Sequence, residues 1–363
     1  MKVCVLGLRG IPGVAGGIET HCEQLYPRLA RLRRQDDIII VGRQAYIGND
    51  ARKLDTNLSV QPLPAARHSY FETITNTILG VFAARFRFGA DLVHIHAIGP
   101  GLLLPLARLF GLKTVLTHHG EDYARSKWNG AAKRVLRIGE YMGVRFADAV
   151  IAVSPSVSAR LKADFPARAE RISYVPNGAD HFGEQAALDE TVLSRFGLEP
   201  DAYVVSVGRL VPEKGFHELI EAHRLSGIEL PLVIVGSDAG SAYEARIRAS
   251  ADANVVFTGA QPHAAVAALL KHARLFVLAS HHEGLPIAAL EAMAMDAPLL
   301  VSDITPNRNL ELPDANYFHV GDINDLSDKL IACIELRPRV KLQKQFRWDS
   351  IASRTSEIYD ELK

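Results

Sequence analysis

The chain has 363 residues, of which 48% are hydrophobic and 23% charged, and its formal net charge is zero. These proportions exclude a disordered chain, and the length favours two domains of ordinary size over one. The most apolar stretch, residues 98–116, is interrupted by Pro100, Pro105, Arg108 and Lys113, so we expect no transmembrane helix.

Short runs rich in Val and Ile alternate with helical patterns along the whole chain. A continuous apolar run between helices is typical of a parallel strand buried on both faces, so two series of such runs predict two doubly wound α/β domains. Functional residues are expected just after these runs, because ligands bind beyond the carboxyl ends of open parallel sheets. The predicted strands are residues 3–6, 38–41, 92–96, 114–117, 149–153 and 172–175, then 203–207, 232–235, 255–258, 275–279 and 299–301.

The boundary between the domains is predicted after the strand end and turn Tyr174-Val175-Pro176-Asn177-Gly178 and before Tyr203. We therefore expect an N-terminal domain over residues 1–182 and a C-terminal domain over residues 183–345. Residues 346–363 form a terminal segment.

The first helix is predicted from an apolar stripe with spacings of four, three, four and three residues, formed by Ile18, Cys22, Leu25, Leu29 and Leu32. Pro27 is expected to kink or interrupt it. Its arginines at positions 28, 31, 33 and 34 are expected on a solvated face. The segment at residues 133–138 has the same basic amphipathic character.

A glycine-rich loop follows the first strand and ends in Gly16 and Gly17. Glycines let backbone amides approach a phosphate or a sugar closely, and a helix after Gly17 would direct its positive end to the same place. The loop lacks the G-x-G-x-x-G pattern, which argues against a nicotinamide dehydrogenase. A structural glycine turn is the alternative.

Two histidines, His118 and His119, stand beside Gly120 at the end of a predicted strand. That position favours a functional role for at least one of them, with a satisfied structural histidine as the alternative. A zinc site needs three or four ligands at suitable spacing. No such set is evident in the sequence, so no metal site is predicted.

Arg209 and Lys214 lie in the loop after the strand at residues 203–207. A guanidinium and an ammonium together suit a diphosphate, and a helix starting near Pro286 can add backbone N–H groups. Two solvated charges are the alternative. No Asp-x-Asp occurs in the sequence, so a Mg²⁺ or Mn²⁺ clamp has no obvious ligands.

Glu283 and Glu291 are separated by seven residues, with Gly284 and Pro286 behind the first. Eight steps of helix would place them roughly 12 Å apart. Paired carboxylates of glycoside hydrolases lie about 5 to 9.5 Å apart, so a hydrolytic dyad is disfavoured.

Together these motifs resemble glycosyltransferase family 4, which comprises retaining enzymes of the GT-B fold that use a nucleotide-sugar donor. The resemblance implies two Rossmann-like domains facing each other across a cleft, with the segment 346–363 crossing back to the first. The opening also resembles a bacterial subgroup that builds envelope polysaccharides. The motifs are Arg9-Gly10-Ile11-Pro12, Gly16-Gly17, His119-Gly120, Pro176-Asn177-Gly178, Val207-Gly208-Arg209, Lys214-Gly215 and the E-x7-E of Glu283 and Glu291.

The resemblance also implies roles for the donor-binding residues. Arg209 and Lys214 would hold the donor diphosphate, and the backbone of Gly284 and Leu285 would meet phosphate. Glu291 would bind the ribose hydroxyls.

For the remaining site residues, the resemblance implies contacts near the transferred sugar. His119 and Glu283 would serve catalysis, the first near the reacting centre and the second at hydroxyls of the sugar. Gly16 and Gly17 would line the cleft from the first domain.

The expected function is transfer of a hexose-type sugar, from a UDP-sugar by preference, to a saccharide or lipid-linked acceptor in polysaccharide biosynthesis. A nucleotide-sugar 2-epimerase and a non-catalytic sugar-nucleotide-binding subunit are the alternatives. No metal cofactor and no nucleic-acid partner are expected.

The charge distribution and the cysteines bear on location. Residues 1–180 carry 24 Lys and Arg against 15 Asp and Glu, a net charge of +9, whereas residues 181–363 carry 17 against 26, a net charge of −9. The basic half suggests an anionic membrane surface or acceptor; mutual attraction of the halves is the alternative.

Cys4, Cys22 and Cys333 are widely separated, so we expect a cytoplasmic enzyme, with peripheral contact at the inner membrane face.

Overall fold

A computed structural model describes residues 1–14, 16–66, 69–121, 123, 129–184, 188–237 and 240–363, with the backbone alone at 69–71 and 183–184. The chain divides into two compact units, Met1–Asn177 with Trp348–Lys363, and Gly178–Arg347. The first unit thus ends at Asn177 and not at 182, because Ala179 and Phe182 are buried in the core of the second unit. The chain returns to the first unit at Trp348, since Phe346 packs in the second core and Trp348 in the first.

The first unit contains an eight-stranded sheet in the order β3-β4-β2-β1-β5-β6-β7-β8, in which all neighbours are parallel except β3 and β4. Its helices include a π-helical turn at Ala83–Arg87 and a 3₁₀ segment at Pro166–Arg171. The strands are β1 Lys2–Leu6, β2 Asp37–Arg43, β3 Arg52–Asp55, β4 Leu58–Leu63, β5 Leu92–His96, β6 Lys113–His118, β7 Ala149–Ala152 and β8 Ile172–Tyr174. The α-helices are α1 Gly17–Leu32, α2 Gln44–Ile47, α3 Ser69–Phe82, α4 Ile98–Gly101, α5 Leu104–Leu109, α6 Gly130–Phe146, α7 Pro155–Asp164 and α16 Trp348–Asp360.

The second unit contains a six-stranded sheet in the order β11-β10-β9-β12-β13-β14, and its recorded pairings are all parallel. Short 3₁₀ turns occur at Pro212–Lys214, Asp314–Asn316 and Lys344–Phe346. The strands are β9 Val204–Val207, β10 Leu232–Val235, β11 Val255–Gly259, β12 Leu275–Leu278, β13 Leu299–Ser302 and β14 Tyr317–Phe318. The helices are α8 His181–Glu184, α9 Thr191–Arg195, α10 Phe216–Ser226, α11 Ala242–Ser250, α12 His263–Lys271, α13 Ile287–Ala294, α14 Thr305–Arg308 and α15 Ile323–Leu336.

Both sheets are buried on two faces, as the continuous apolar runs predict. In β1, Val3 and Val5 pack into one core while Cys4 and Leu6 pack into another, because successive side chains of a strand point to opposite faces. In the second sheet, alternate side chains of the same strand likewise pack into two different cores. The prediction of two doubly wound α/β domains is confirmed.

Helix α1 departs from the sequence expectation at its end. It runs through Pro27 without a break, and Leu32, predicted on the apolar stripe, is 55% exposed. Arg33, predicted on the solvated face, is 7% exposed instead. Its guanidinium pairs with Asp36 at 2.6 Å and with Asp360 of α16 at 3.0 Å, so this arginine ties the last helix to the first.

Every predicted strand is present, and the strands that the sequence pattern missed are β3, β4 and β14. Cys4, Cys22 and Cys333 are all buried free thiols. In the described part of the chain, no helix combines the length and the apolar character that crossing a bilayer requires.

Candidate functional site

Two loops at the carboxyl edge of the second sheet lie against each other. We call residues 208–215, after β9, the cation loop, and residues 279–286, after β12, the glutamate loop. Gly215 has a φ of +65°, and a Cβ there would come within 2.0 Å of the Ala279 carbonyl oxygen. The His281 N–H donates to the Glu213 carbonyl at 2.9 Å. The glycine and this hydrogen bond therefore hold the loops in contact.

Lys214 and Glu283, predicted at the diphosphate and the sugar, form an ion pair. Lys214 Nζ lies 2.6 Å from Glu283 Oε1, and the side chains are 20% and 9% exposed. The hydroxyl of the fully buried Ser280 donates to the same oxygen at 2.6 Å. Among the described residues, Oε2 of Glu283 accepts no hydrogen bond, so one carboxylate oxygen is held and the other is available.

Arg209 is the exposed cation of the cation loop. Its guanidinium makes no ion pair or hydrogen bond within the described ranges. The backbone beneath it is tightly packed, since a Cβ at Gly236 would lie 1.8 Å from the Gly208 carbonyl oxygen. Gly236, at the end of β10, is thus a supporting residue that the sequence motifs did not reveal.

Helix α13 begins at Ile287, one residue after the predicted start, with Pro286 as its N-cap. Gly284 and Leu285 precede it, and their backbone N–H groups donate no hydrogen bond to the residues that the structure describes. The Leu285 side chain packs on the core of the second unit. Glu283 lies outside the helix, so the distance to Glu291 that was predicted from eight steps of helix does not apply.

Glu291 lies within α13 and is half-buried. Burial raises the pKa of its carboxyl from 4.5 to about 8. Within the described chain its carboxylate oxygens accept no hydrogen bond. A desolvated carboxyl without a partner is a strong hydrogen-bonding group for a hydroxyl-bearing ligand, because burial leaves it poorly solvated.

In the first unit, Gly16 is the N-cap of α1 and Gly17 is its exposed first residue. Gly16 has a φ of +152°, and a Cβ there would come 2.0 Å from Glu19 Oε2. Glu19 is 5% exposed and accepts a hydrogen bond from the Arg9 backbone N–H at 3.0 Å. The Glu19 carboxylate therefore lies at the positive end of α1. The glycine-rich loop had predicted a phosphate or a sugar at that position.

The adjacent histidines have different environments. His118 is fully buried, and its Nε2 lies 2.7 Å from Glu140 Oε1, which also pairs with Arg160 at 2.5 Å. His119 is half-buried, and its Nε2 lies 3.0 Å from Nδ1 of His96. His118 thus has a structural partner set, whereas His119 retains exposed surface.

The fold also brings His21 and His96 to His119. One ligand atom from each of the three imidazoles lies within 4.8 Å of the other two. The three histidines are 75 and 23 residues apart in the sequence, so their spacing did not reveal these imidazoles as a set. Helix α1 and the parallel strands β5 and β6 bring them together.

A cavity of about 740 Å³ lies elsewhere in the first unit. Its lining combines cations with aromatic rings and contains none of the predicted site residues. The lining includes Tyr123, Arg137, Glu140, Tyr141, Arg145, Phe165 and Arg168.

Comparison with known proteins agrees with this architecture. Residues 15–181 match the family model described as Glycosyltransferase Family 4, and residues 194–349 match the one described as Glycosyl transferases group 1. With two parallel-sheet α/β units, these matches define a glycosyltransferase of the GT-B class. The chain belongs to glycosyltransferase family 4, as the motifs predicted. The epimerase and the non-catalytic subunit are not favoured.

Individual relatives are distant. The chain is 27% identical to the alpha-D-kanosaminyltransferase of Streptomyces kanamyceticus, over 83% of this chain and 85% of that protein. Sucrose-phosphate synthase from Thermosynechococcus elongatus has a similar structure, with a TM-score of 0.80 at 21% identity over 99% and 98% of the two chains. Anabaena Alr3699/HepE in complex with UDP gives a TM-score of 0.76 at 17% identity over 100% of both chains. These structural similarities show the fold.

Proposed function

We propose that the chain is a retaining glycosyltransferase that moves a hexose-type sugar from a UDP-sugar to a saccharide or lipid-linked acceptor in envelope polysaccharide biosynthesis. The observation that carries the proposal is the pairing of Lys214 with Glu283 where the cation loop meets the glutamate loop. It joins a cation suited to a diphosphate with a carboxylate suited to sugar hydroxyls. Glu291 follows on the helix that the glutamate loop enters.

Donor binding in the second unit follows from these groups. Arg209 and Lys214 supply positive charge for the diphosphate. The N–H groups of Gly284 and Leu285, which donate to none of the described residues, can donate to its oxygens. Oε2 of Glu283 can accept from a sugar hydroxyl while Lys214 and Ser280 hold Oε1. Glu291 is proposed at the ribose. UDP binding by the similar Anabaena protein supports UDP as the nucleotide of the donor.

The proposed chemistry retains the anomeric configuration by reaction on one face of the sugar. The bond from the anomeric carbon to the phosphate oxygen breaks, and the acceptor oxygen bonds to the same carbon on the same face. The acceptor proton passes to the departing phosphate oxygen. The cations stabilise the leaving diphosphate, and the remaining work is orientation and electrostatic stabilisation of an oxocarbenium-like transition state. His119, Gly16 and Gly17 keep the roles that the family resemblance implies, as predictions.

The test of transfer uses the purified full chain. A thermal-shift panel of UDP-, GDP- and dTDP-sugars should select one donor, since a ligand that binds only the folded state raises its stability. Incubation with that donor and lipid-linked or oligosaccharide acceptors should give a product whose anomeric configuration, read by NMR, equals that of the donor. An inverted product would overturn retention. Conversion of the donor to a free epimeric sugar, without acceptor, would favour the epimerase.

The donor reaction is proposed to need no metal, because the two cations and the backbone N–H groups of Gly284 and Leu285 take the role of a Mg²⁺ clamp. Activity should survive prolonged dialysis against a chelator. Loss of activity that Mn²⁺ restores would contradict this part of the proposal.

Peripheral contact with the cytoplasmic face of an anionic membrane is the last part of the proposal. An apolar-basic patch of the first unit supports this contact. The centroid of the Phe110 ring lies 5.1 Å from the centroid of the Phe82 ring and 5.2 Å from that of the Phe86 ring. Exposed rings beside arginines suit the boundary between acyl chains and anionic headgroups. The exposed members are Leu79, Phe82, Arg85, Phe86, Arg87, Arg108 and Leu109.

Vesicle sedimentation tests this contact. The chain should bind phosphatidylglycerol vesicles, bind phosphatidylcholine vesicles less, and dissociate with rising salt. The double variant Phe86→Ser, Leu109→Ser should bind at least about tenfold more weakly, because burying each side chain is worth about 1.5–3 kcal/mol. Leu225→Ser, Leu336→Ser removes two leucines of the second unit that are 56% and 63% exposed, and it is the control. Equal binding by both double variants would exclude the patch.

A further inference from the structure

Three imidazoles of the first unit converge on one point. The ring of His21 lies 4.8 Å from that of His119 and 5.3 Å from that of His96, measured between centroids, and the rings of His96 and His119 are also 5.3 Å apart. We call His21, His96 and His119 the histidine trio. His21 and His96 are 4% and 0% exposed, whereas His119 is half-buried and provides an approach from solvent.

The two buried rings of the trio, His21 and His96, each have one nitrogen in a hydrogen bond to a neighbouring side chain. His21 Nδ1 lies 2.7 Å from the Asn177 side-chain oxygen, so Nδ1 carries the proton and donates. His21 Nε2 is then a lone pair, and it is buried with no hydrogen-bond partner among the described residues. An orphaned buried nitrogen is costly unless a ligand uses it.

His96 is oriented in a comparable way. Its Nε2 lies 2.7 Å from the Tyr26 hydroxyl, which also lies 3.1 Å from Nδ1 of His94. His94 Nε2 in turn lies 2.7 Å from the Thr117 hydroxyl. With its proton on Nε2 and donated to the Tyr26 hydroxyl, His96 has a lone pair on Nδ1, which accepts the His119 Nε2–H at 3.0 Å. A ring nitrogen fixed by a hydrogen bond on its far side is the usual arrangement of a metal-binding histidine.

We propose that the histidine trio binds a divalent transition-metal ion of the Zn²⁺ class, through Nε2 of His21, Nδ1 of His96 and Nε2 of His119. The proton that His119 Nε2 shares with His96 in the metal-free chain then moves to Nδ1 of the His119 ring. Nitrogens at about 2.05 Å from one tetrahedral ion are about 3.3 Å apart. The 3.0 Å separation of the His96 and His119 nitrogens is near that value, and one ring nitrogen from each of the three histidines lies within 4.8 Å of the other two. Binding therefore requires the most widely spaced pair of nitrogens to approach by up to about 1.5 Å.

The chemistry of the ligand set selects the ion. Three neutral imidazoles without a carboxylate suit Zn²⁺, Ni²⁺ or Cu²⁺ and not Mg²⁺ or Ca²⁺, which prefer oxygen ligands. Water would complete a four-coordinate site. Metal on Nε2 would also withdraw His119 from the donor sugar, a consequence that rests on the proposed function although the binding itself does not.

Cobalt substitution tests the site with a readout independent of activity. Chelator-treated full chain is titrated with Co²⁺ and then with Zn²⁺. We expect one equivalent of Co²⁺ to give the visible absorption of a four-coordinate nitrogen site, and one equivalent of Zn²⁺ to bleach it. His119→Ala and His21→Ala should each abolish the spectrum. Asn177→Ala should weaken binding about 10- to 100-fold, because it frees the orientation of His21.

His281→Ala is the matched control, since it removes an exposed imidazole of the second unit that pairs with Glu218; it should leave the spectrum intact. Absence of a four-coordinate spectrum in the wild type would overturn the proposal, as would a spectrum that persists in His119→Ala, which removes a half-buried ring and is expected to fold. Zn²⁺ binding without loss of transfer would retain the metal site and contradict the role of His119 at the sugar.

Discussion

Lys214 Nζ and Glu283 Oε1 lie 2.6 Å apart, although they stand 69 residues apart in the chain. Gly215 and the hydrogen bond from His281 to Glu213 bring their two loops together. A diphosphate bound at Lys214 and a sugar bound at Glu283 would consequently share one electrostatic contact. Changing either residue should alter the affinity of the other for its part of the donor.

A double-mutant cycle measures this coupling. Lys214→Met and Glu283→Gln should each weaken UDP-sugar binding, and the double variant should lose less than the sum, by about 0.5–3 kcal/mol. Isothermal titration of the four proteins with one donor gives the value. The exposed pair Arg224 and Glu221, with side chains 61% and 48% exposed, is the control and should show no coupling in donor binding. Additive losses would mean that the ion pair does not link the two subsites.

Substitution of Arg209 should lower the rate of transfer without lowering the stability of the fold. Because its side chain is exposed and unpaired among the described residues, Arg209→Ala should change the free energy of unfolding by no more than about 0.5 kcal/mol. Its effect on kcat/KM for transfer should be about 10²–10³-fold, the usual cost of removing one group that stabilises developing charge. Arg224→Ala removes another exposed arginine of the same unit and should leave kcat/KM unchanged. A comparable loss in both variants would remove Arg209 from the site.

Glu291 should make the second unit less stable as pH rises. Its carboxyl has a pKa of about 8 in the folded chain and 4.5 ordinarily. Between these values the folded state holds a proton that the unfolded chain has lost, so stability is full below pH 4.5 and falls as pH rises through 8. Glu291→Gln, a neutral replacement, should remove this fall. Amide hydrogen exchange in β12 and β13 at pH 5, 7 and 8.5 measures it locally.

The same variant also tests the ribose role. Glu291→Gln should lose donor affinity while gaining stability at pH 8.5 relative to the wild type. Glu221→Gln, at an exposed carboxylate, should keep the pH profile of the wild type. A Glu291→Gln profile that still falls between pH 5 and 8.5 would show that another group is responsible.

The sequence predicted the fold because parallel strands leave a local signal. Runs such as Leu232–Val235 are buried on both faces and read as continuous apolar segments. β3, the antiparallel edge strand at Arg52–Asp55, has mostly exposed side chains and carries no such run. Arg33 was placed on the wrong face because its partners, Asp36 and Asp360, include one that is 327 residues away.

The candidate site was predictable where it consists of charged residues just after strands, as with Arg209, Lys214 and Glu283. The groups that position them were not. Ser280 and Gly236 are common residues at strand ends, and their roles appear only in the contacts with Glu283 and Gly208. The members of the histidine trio lie on α1, at the end of β5 and just after β6, so only the pairing of these strands and the packing of α1 on the sheet bring them together.

The two adjacent histidines give opposite expectations for stability and catalysis. His118 is fully buried and bonded to Glu140, so His118→Ala should lower the free energy of unfolding by about 2–4 kcal/mol through the cavity and the lost hydrogen bond. His119→Ala removes a half-buried ring whose recorded hydrogen bond is to His96, so its cost in stability should be smaller. Its cost in kcat should be larger, because His119 is the predicted contact of the donor sugar.

Thermal unfolding and kcat, measured on both variants at a temperature where each is folded, separate the roles. Residual transfer in His118→Ala should be close to that of the wild type once the folded fraction is taken into account, because Glu140 still pairs with Arg160 through a 2.5 Å contact and holds the local structure. His119→Asn retains a polar side chain and should recover stability without recovering kcat. If His118→Ala abolishes kcat in a folded protein while His119→Ala spares it, the catalytic assignment passes from His119 to His118.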